Sequence, residues 1–378
     1  MTDMELSIKD PIYCRKLLAF TGIVGLPETS TAFRMGLRQA LDPKNPKRKE
    51  HTVRLKKLFV DFKRNNGYSE VFSNDKGKYL PPSGTSEDLY HSIFISVVDY
   101  LSNASEYFGL KVVPIGRIME NENLHNWLNA FGKSLLDPVN FSEGFVEETV
   151  RLGRMALVLN IDQIHYGPLI HLFFEERGLT VPNDIDDIQA FEENHPNLAT
   201  EIYFEIAVRA VRGANHIAYT ISYCIQREAI SDNDYDISKS NPDELRDFVM
   251  ETLRFNPPIA KIGRTTNNKS KVSFNGLEIE PKTHINFNIE EYNRKYSTEF
   301  NFSDKKTPTS LGSKNRIASF GSYTYLPCPA AQFSIEFCVY YLMKFWEYRI
   351  WIPSNQVDTK DLEDNVRLEV SGLFSTTL

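Results

Sequence analysis

Residues 317–333 read IASFGSYTYLPCPAAQF, a stretch in which one cysteine, Cys328, comes just before a run of apolar residues. The run is aromatic or aliphatic on most sides, which predicts a long buried helix over residues 330–348. A cysteine at the N-terminus of a helix meets the positive end of the helix dipole and backbone N–H groups, which favour the thiolate over the thiol. Because the thiolate is the form that binds metal ions, Cys328 is a candidate ligand.

A second helix is predicted upstream, over residues 242–255. Asn241 can cap it, Pro242 suits its first position, and Glu244 can close a capping box. We expect the helix to end at Asn256-Pro257-Pro258, because proline cannot continue a helix and restricts the residue before it.

Two charged residues of this helix, Glu251 and Arg254, stand three positions apart and can form a salt bridge. A buried pair of this kind is costly unless all of its hydrogen-bonding groups are satisfied, so we expect a third partner nearby. Arg294 is the candidate for that partner.

The hydrophobic period changes along the chain. From about residue 86 to 230 it is mainly helical, and the longest candidate helix, 197–229, is apolar on several faces, which predicts burial. Residues 271–289 alternate instead and contain Asn275-Gly276, a strong hairpin signal. A turn-rich stretch is expected at 41–50. The fold class is therefore predicted to be mainly α with a minor β-sheet.

The chain resembles the cytochrome P450 superfamily in the order of four features. They are the Glu-x-x-Arg helix, the hairpin, the Asn293-Arg294 segment and the loop that leads to Cys328, called the cysteine loop below. The resemblance implies a cytochrome P450-like fold, with a single haem-thiolate domain over residues 1–378 and residues 1–30 loosely ordered. It also implies haem b (iron protoporphyrin IX) as the cofactor, with Cys328 as the fifth ligand of the iron and an electron donor to it.

The same resemblance gives several other residues a part in holding the haem. Glu251 and Arg254 would brace the loop beneath it, and Phe320 belongs to that loop. Arg264 and Arg316 are the candidates for pairing with the haem propionates, where arginine favours bidentate geometry. His125 is similar to a propionate-binding histidine of the family.

The cysteine loop departs from the family pattern, since it has one extra residue and lacks the second glycine, the basic residue and the glycine after the cysteine. The distal side departs as well. Asn215-His216 stands where oxygen-activating members carry an acid–alcohol pair, and an asparagine cannot donate a carboxylic proton. Thr220, one helical turn further on, is a candidate substitute.

Ala214-Asn215 is similar to a segment of the P450 parts of fungal fatty-acid diol synthases, and plant allene oxide synthases are also similar on the distal side. Such enzymes rearrange lipid hydroperoxides, which bring their own O–O bond. The resemblance therefore implies an enzyme that uses a fatty-acid hydroperoxide or rearranges an apolar substrate. Asn215 would orient the distal oxygens, and His216 would shape the site or donate a proton.

Two alternatives stay open. The first is a conventional monooxygenase that receives electrons from a ferredoxin- or flavodoxin-type protein. The second, motivated by the altered cysteine loop, is a non-catalytic protein that keeps the fold to bind a small apolar molecule or a protein.

The formal net charge of -7 argues against nucleic acid as a partner, because phosphate binding needs clustered cations. The basic stretch 44–57 is an exception and predicts either a solvated surface or a docking patch for an acidic redox protein or an anionic membrane.

The four cysteines show neither zinc-site nor disulfide spacing. With no signal pattern and no apolar stretch long enough to span a membrane, we expect a soluble, cytoplasmic protein.

Overall fold

The structure is a computed structural model, and eighteen segments or single positions of the chain are described. They are 5–8, 24–25, 46–73, 86–110, 174–180, 194–195, 201, 204, 208, 212–230, 241–266, 270–274, 276–281, 283–295, 298, 300, 317–321 and 328–347.

Helices form most of the described structure, as the sequence predicts. In chain order they are α1 (Pro46–Arg64), α2 (Gly67–Ser73), α3 (Ser86–Tyr107), α4 (Arg212–Ile230), α5 (Pro242–Phe255), α6 (Ile289–Asn293) and α7 (Ala331–Glu347). The central helix is α4, which packs against α3, α5 and α7. Among the described residues, no helix combines the length and apolar character that crossing a membrane requires.

A minor sheet lies beside the helices. Its strands are β1 (Glu5–Ile8), β2 (Val24–Gly25), β3 (Lys261–Thr266), β4 (Val272–Phe274), β5 (Leu277–Ile279) and β6 (His284–Asn288). Four of them form one sheet in the order β1-β6-β3-β2, in which β1 runs parallel to β6 and the other pairs are antiparallel. The hairpin β4–β5 pairs Phe274 with Leu277 around Asn275-Gly276, so the predicted hairpin is confirmed.

Burial of α4 on several faces is confirmed, since residues spread around the helix are almost completely buried. All nine residues from 217 to 225 are at most 4% exposed, and nine consecutive residues cover every face of an α-helix. The regular helix begins at Arg212 rather than near residue 197, and Phe204 and Val208 upstream lie in π-helical turns. The remainder of 197–211, apart from Glu201, lies outside the described residues.

The predicted start of α5 is confirmed in detail. Asn241 accepts the N–H groups of Asp243 and Glu244, and the Glu244 carboxylate accepts the N–H of Asn241, which completes the capping box. Helix α7 is also close to its predicted bounds. The turn-rich expectation for 41–50 is wrong from Pro46 onward, because α1 begins there and proline suits the first position of a helix.

Aromatic packing joins the N-terminal helices to α7. The rings of Phe59 on α1 and Phe333 on α7 lie 4.7 Å apart between centroids. The hydroxyl of Tyr68 on α2 donates to the carbonyl oxygen of Phe333 at 3.3 Å, and Tyr341 on α7 donates to Ser96 Oγ on α3 at 3.0 Å. Helix α7, which follows Cys328 and is called the cysteine helix below, therefore contacts α1, α2, α3, α4 and α5.

Candidate functional site

Cys328 lies at the start of α7, in the position that the sequence predicts. It is half-buried, packs against the hydrophobic core, and carries a thiol rather than a disulfide. Its carbonyl oxygen accepts the N–H of Ala331, the first residue of α7, at 3.3 Å, and its own N–H donates to the carbonyl oxygen of Phe320 at 2.9 Å. The thiol therefore stands at the N-terminal end of a seventeen-residue helix, where the dipole stabilises negative charge.

Phe320 has an unusual backbone conformation. It lies in a 3-10 turn, Ser319–Gly321, with φ 59° and ψ 23°, in the left-handed region that disfavours residues with a side chain. Such a conformation costs about 1–2 kcal/mol per residue. It persists where the surrounding structure fixes it, and here it accompanies the hydrogen bond that the Cys328 N–H donates to the Phe320 carbonyl oxygen.

On α5, the Glu251–Arg254 salt bridge that the sequence predicts is present. Arg254 donates from Nε and from Nη2 to the two carboxylate oxygens of Glu251, each at 2.6 Å. The side chains are 0% and 4% exposed. Bidentate geometry of this kind is the strongest form of the pair.

The expected third partner is different from the one predicted. Arg254 Nη1 donates to the main-chain oxygen of Asn293 at 3.3 Å. Arg294 instead donates from Nε to the carbonyl oxygen of Phe255 at 2.7 Å and pairs with Glu290 at 2.9 Å. The third member is thus a backbone carbonyl, which accepts an N–H of the arginine without adding a second cation to the buried site.

Sequence reasoning also missed the Asn293 side chain. It is buried at the end of α6 and reaches both α5 and the segment before the cysteine loop. The only signal was its place in the Asn293-Arg294 segment, and a buried asparagine cannot be told from an exposed one by composition.

A further polar cluster lies on the cysteine helix. The Glu336 carboxylate is 3% exposed and accepts hydrogen bonds from Lys63 on α1, Arg246 on α5 and Gln332 on α7. Burial acts to raise the pKa of Glu336, but the hydrogen bonds and charges of Arg246 and Lys63 outweigh it and hold that pKa below its ordinary value. The cluster ties α1 and α5 to α7.

The backbone is tightly packed at the start of α4, just before the two residues that the sequence predicts to be distal. A Cβ atom at Gly213 would lie 2.5 Å from the carbonyl oxygen of Val208 and 2.7 Å from its Cα, so the backbone approaches too closely for any other residue. Asn215 and His216 follow directly on α4. His216 is half-buried, and the side chain of Asn215 lies outside the described residues.

The Thr220 hydroxyl, the predicted substitute on this side, donates to the carbonyl oxygen of His216 at 2.8 Å within α4. The remaining predicted residues are described less fully. Arg264 lies on β3 opposite Ile285, and its side chain is outside the described part of the chain. Arg316 and His125 lie outside the described residues altogether.

No family model matches the sequence, and no curated protein matches it either. Solved structures do match over nearly the whole chain. Ligand-free CYP164A2 from Mycobacterium smegmatis is similar with a TM-score of 0.52 and 15% identity, covering 90% of this chain and 83% of that chain.

Two others have fatty-acyl ligands. A variant of cytochrome P450 OleT in complex with arachidonic acid has a TM-score of 0.51 and 12% identity, covering 90% of this chain and 80% of that chain. P450BioI in complex with hexadec-9Z-enoic acid ligated acyl carrier protein has a TM-score of 0.50 and 13% identity, covering 90% and 84%. At such low identity the likeness concerns the fold alone, and the chain therefore has the cytochrome P450 fold.

Proposed function

We propose that the chain is a haem-thiolate enzyme, built as a single domain, that acts on an organic hydroperoxide or rearranges an apolar substrate without activating dioxygen. One observation carries the proposal. Cys328 is held at the start of α7, and α7 packs against α4, on which Asn215-His216 occupies the place of an acid–alcohol pair.

The residues of the site fit haem b. Cys328 is a half-buried thiol at a helix N-terminus, the setting that favours a thiolate ligand. Glu251 and Arg254 are buried and fully paired with each other, so they can brace the loop without leaving a charge unsatisfied. Arg264, Arg316 and His125 are proposed to pair with the propionates. When bound, the haem supplies the redox chemistry of its iron, and the thiolate donates electron density to the iron.

The distal residues have separate roles in this proposal. The amide of Asn215 has both a donor and an acceptor, so it can hold the two oxygens of a hydroperoxide in one orientation. His216 can donate or accept a proton near neutral pH. Thr220 already donates its hydroxyl proton to the His216 carbonyl oxygen, which suits a residue that supports this turn of α4.

A long-chain fatty-acid hydroperoxide is the substrate that we propose to test first. The fatty-acyl ligands of the OleT and P450BioI structures belong to those proteins, and they support such a compound as the first to test. An unsaturated chain would be held by apolar contacts, while its hydroperoxide group is oriented by polar ones.

The test is to mix the haem-loaded protein with a polyunsaturated fatty-acid hydroperoxide, without reductant, and to follow substrate loss and products. We expect rapid consumption that is abolished in Cys328→Ala and slowed, or diverted to other products, in Asn215→Ala. Cys338→Ala is the matched control, because Cys338 is a buried cysteine on α7, the helix that follows Cys328, and its pKa is raised by burial. Equal consumption by Cys328→Ala and Cys338→Ala would contradict the proposal.

A second candidate function is a monooxygenase that receives electrons from a ferredoxin- or flavodoxin-type protein. The exposed lysines Lys56 and Lys57 of α1 favour it, because α1 packs directly on the cysteine helix through Phe59 and Phe333. Oxidation of an apolar substrate that requires NAD(P)H and a redox protein would establish this function in place of the first. The rate should then fall in Lys56→Glu/Lys57→Glu.

A further inference from the structure

The side chain of Asn293 joins three separate parts of the chain. Its Oδ1 accepts the N–H of Ala318 at 2.6 Å. Its Nδ2 donates to Ser319 Oγ at 3.2 Å and to the carbonyl oxygen of Leu253 at 3.4 Å. Asn293 is 0% exposed, so these bonds are made out of contact with water.

Other bonds reinforce this junction. The Ser319 hydroxyl donates to the same Leu253 carbonyl at 3.1 Å, and the main-chain oxygen of Asn293 accepts from Arg254 at 3.3 Å. The end of α5, the end of α6 and the segment 318–319 therefore form one hydrogen-bonded unit. Buried amides with several partners are costly to disrupt, because each lost bond leaves a desolvated group behind.

The segment that Asn293 holds leads directly to the cysteine. Ala318 and Ser319 are followed by Phe320, whose backbone is in the left-handed region and whose carbonyl oxygen accepts the N–H of Cys328. A shift of 318–319 would move that carbonyl and remove the acceptor of the Cys328 N–H. The buried Glu251–Arg254 pair reaches Cys328 by this route.

We propose that Asn293 is a positioning residue for Cys328. It fixes residues 318–319 to α5, so that Phe320 presents its carbonyl oxygen where the Cys328 N–H can bond to it. That Asn293 matters for a metal-bound Cys328 thiolate rests on the proposed function. That Asn293 anchors residues 318–319 does not.

The neighbouring residue gives a useful contrast. Arg294 also ties α6 to the end of α5, through the Phe255 carbonyl. Among the described residues, its other contacts are with Glu290 and the Phe255 ring rather than with the cysteine segment. Asn288 caps the start of the same short helix by accepting the N–H of Glu291 at 3.0 Å. Asn288→Ala is therefore the matched control, since it removes an asparagine bond from α6 at the end away from residues 318–319.

The first measurement is hydrogen exchange of the purified full-length chain, followed in peptides that cover residues 317–330. We expect Asn293→Ala to speed exchange there by roughly tenfold to a hundredfold, because the lost bonds stabilise this segment locally. Asn288→Ala should leave these peptides unchanged. Unchanged exchange in Asn293→Ala, or an equal increase in all peptides, would overturn the proposal.

If Asn293→Ala does not fold, Ser319→Ala tests the positioning role of Asn293 instead. It removes the hydroxyl that links Asn293 and Leu253 but keeps the bond to the Ala318 N–H, so we expect a smaller increase confined to 317–330. No increase in that variant would count against the positioning role.

The second measurement is the absorption band of the reduced, carbon monoxide-bound protein, which reports whether the thiolate remains a ligand. We expect Asn293→Ala to lose part of the thiolate-type band while Asn288→Ala retains it. A wild-type protein without that band would refute the proposed function, and the exchange data would still decide the positioning role. A normal band in Asn293→Ala together with unchanged exchange would refute the positioning role alone.

Discussion

Arg254 and Glu251 share two hydrogen bonds of 2.6 Å each, and the arginine side chain has no exposed surface. Removing one partner of such a pair leaves a buried charge uncompensated. We expect Arg254→Met to lower the free energy of unfolding by about 3–5 kcal/mol, and Glu251→Leu/Arg254→Met to lower it less. Urea unfolding measures both. Arg64→Met is the control, because Arg64 is 75% exposed and lies 3.9 Å from Asp61. A single variant no less stable than this control would contradict the expectation.

The environment of Glu336 predicts how the free energy of unfolding depends on pH. Burial raises the pKa of this carboxyl, but Arg246 and Lys63 more than offset that and keep the pKa below its ordinary value of 4.5. A lowered pKa stabilises the folded state at pH values above 4.5, and this stability is lost as the pH falls through the folded-state pKa. We therefore expect the free energy of unfolding to decrease with acidification below pH 4.5.

The variant Glu336→Gln should be less stable than the wild type near neutral pH and should lose stability less steeply on acidification. Urea unfolding at a series of pH values measures the slope. Glu70→Gln, at an exposed position on α2, is the control and should keep the wild-type slope. Parallel slopes for the wild type and Glu336→Gln would show that the ion pairs do not set this dependence.

Gly213 predicts a steric effect on the central helix. An added Cβ would lie 2.5 Å from the Val208 carbonyl oxygen, which is backbone and cannot rotate away. We expect Gly213→Ala to cost about 1–3 kcal/mol in unfolding free energy. Gly276→Ala is the comparison, because Gly276 has φ +82° with open space around it and so tests backbone strain without a clash. If Gly213→Ala is as stable as the wild type, α4 does not need glycine there.

Restoring an acid–alcohol pair on α4 tests the chemistry of the distal side. In Asn215→Asp/His216→Thr a carboxylic proton donor returns, and the proposed amide contact to the hydroperoxide is lost. We expect hydroperoxide consumption to fall by roughly tenfold or more, and product formation with a redox protein and NAD(P)H to rise by a similar factor. His216→Thr alone is the control for loss of the histidine. If the double variant has unchanged rates in both assays, Asn215 and His216 take no part in the reaction.

The local elements could be predicted from sequence because their signals are also local. Asn241, Pro242 and Glu244 specify the start of α5 through bonds made within four residues of one another. Asn275-Gly276 specifies its hairpin for the same reason. The hydrophobic period then predicted the fold class, and the order of the Glu-x-x-Arg helix, hairpin and cysteine loop resembled the cytochrome P450 superfamily.

What could not be predicted depends on contacts between distant residues. Nothing in residues 5–8 indicates that β1 pairs with β6 at residues 284–287, because a four-residue strand is selected by its partner. Asn293 is a hub only because α6 ends beside both Leu253 and Ala318. Arg294 was the more obvious third partner by charge, but a backbone carbonyl satisfies Arg254 at lower cost in a buried site.

The bonds from α7 to the N-terminal helices have a consequence for biosynthesis. Lys63 and Glu336 are 273 residues apart, and Ser96 and Tyr341 are 245 apart. At about 5–20 residues per second, a ribosome completes the later partner of the first pair roughly 14–55 s after the earlier one. Throughout that interval α1, α2 and α3 lack the helix that covers their aromatic side. The nascent chain must therefore be kept from aggregating until α7 is made, and under the proposed function a cysteine-ligated cofactor can be captured only after Cys328 has been translated.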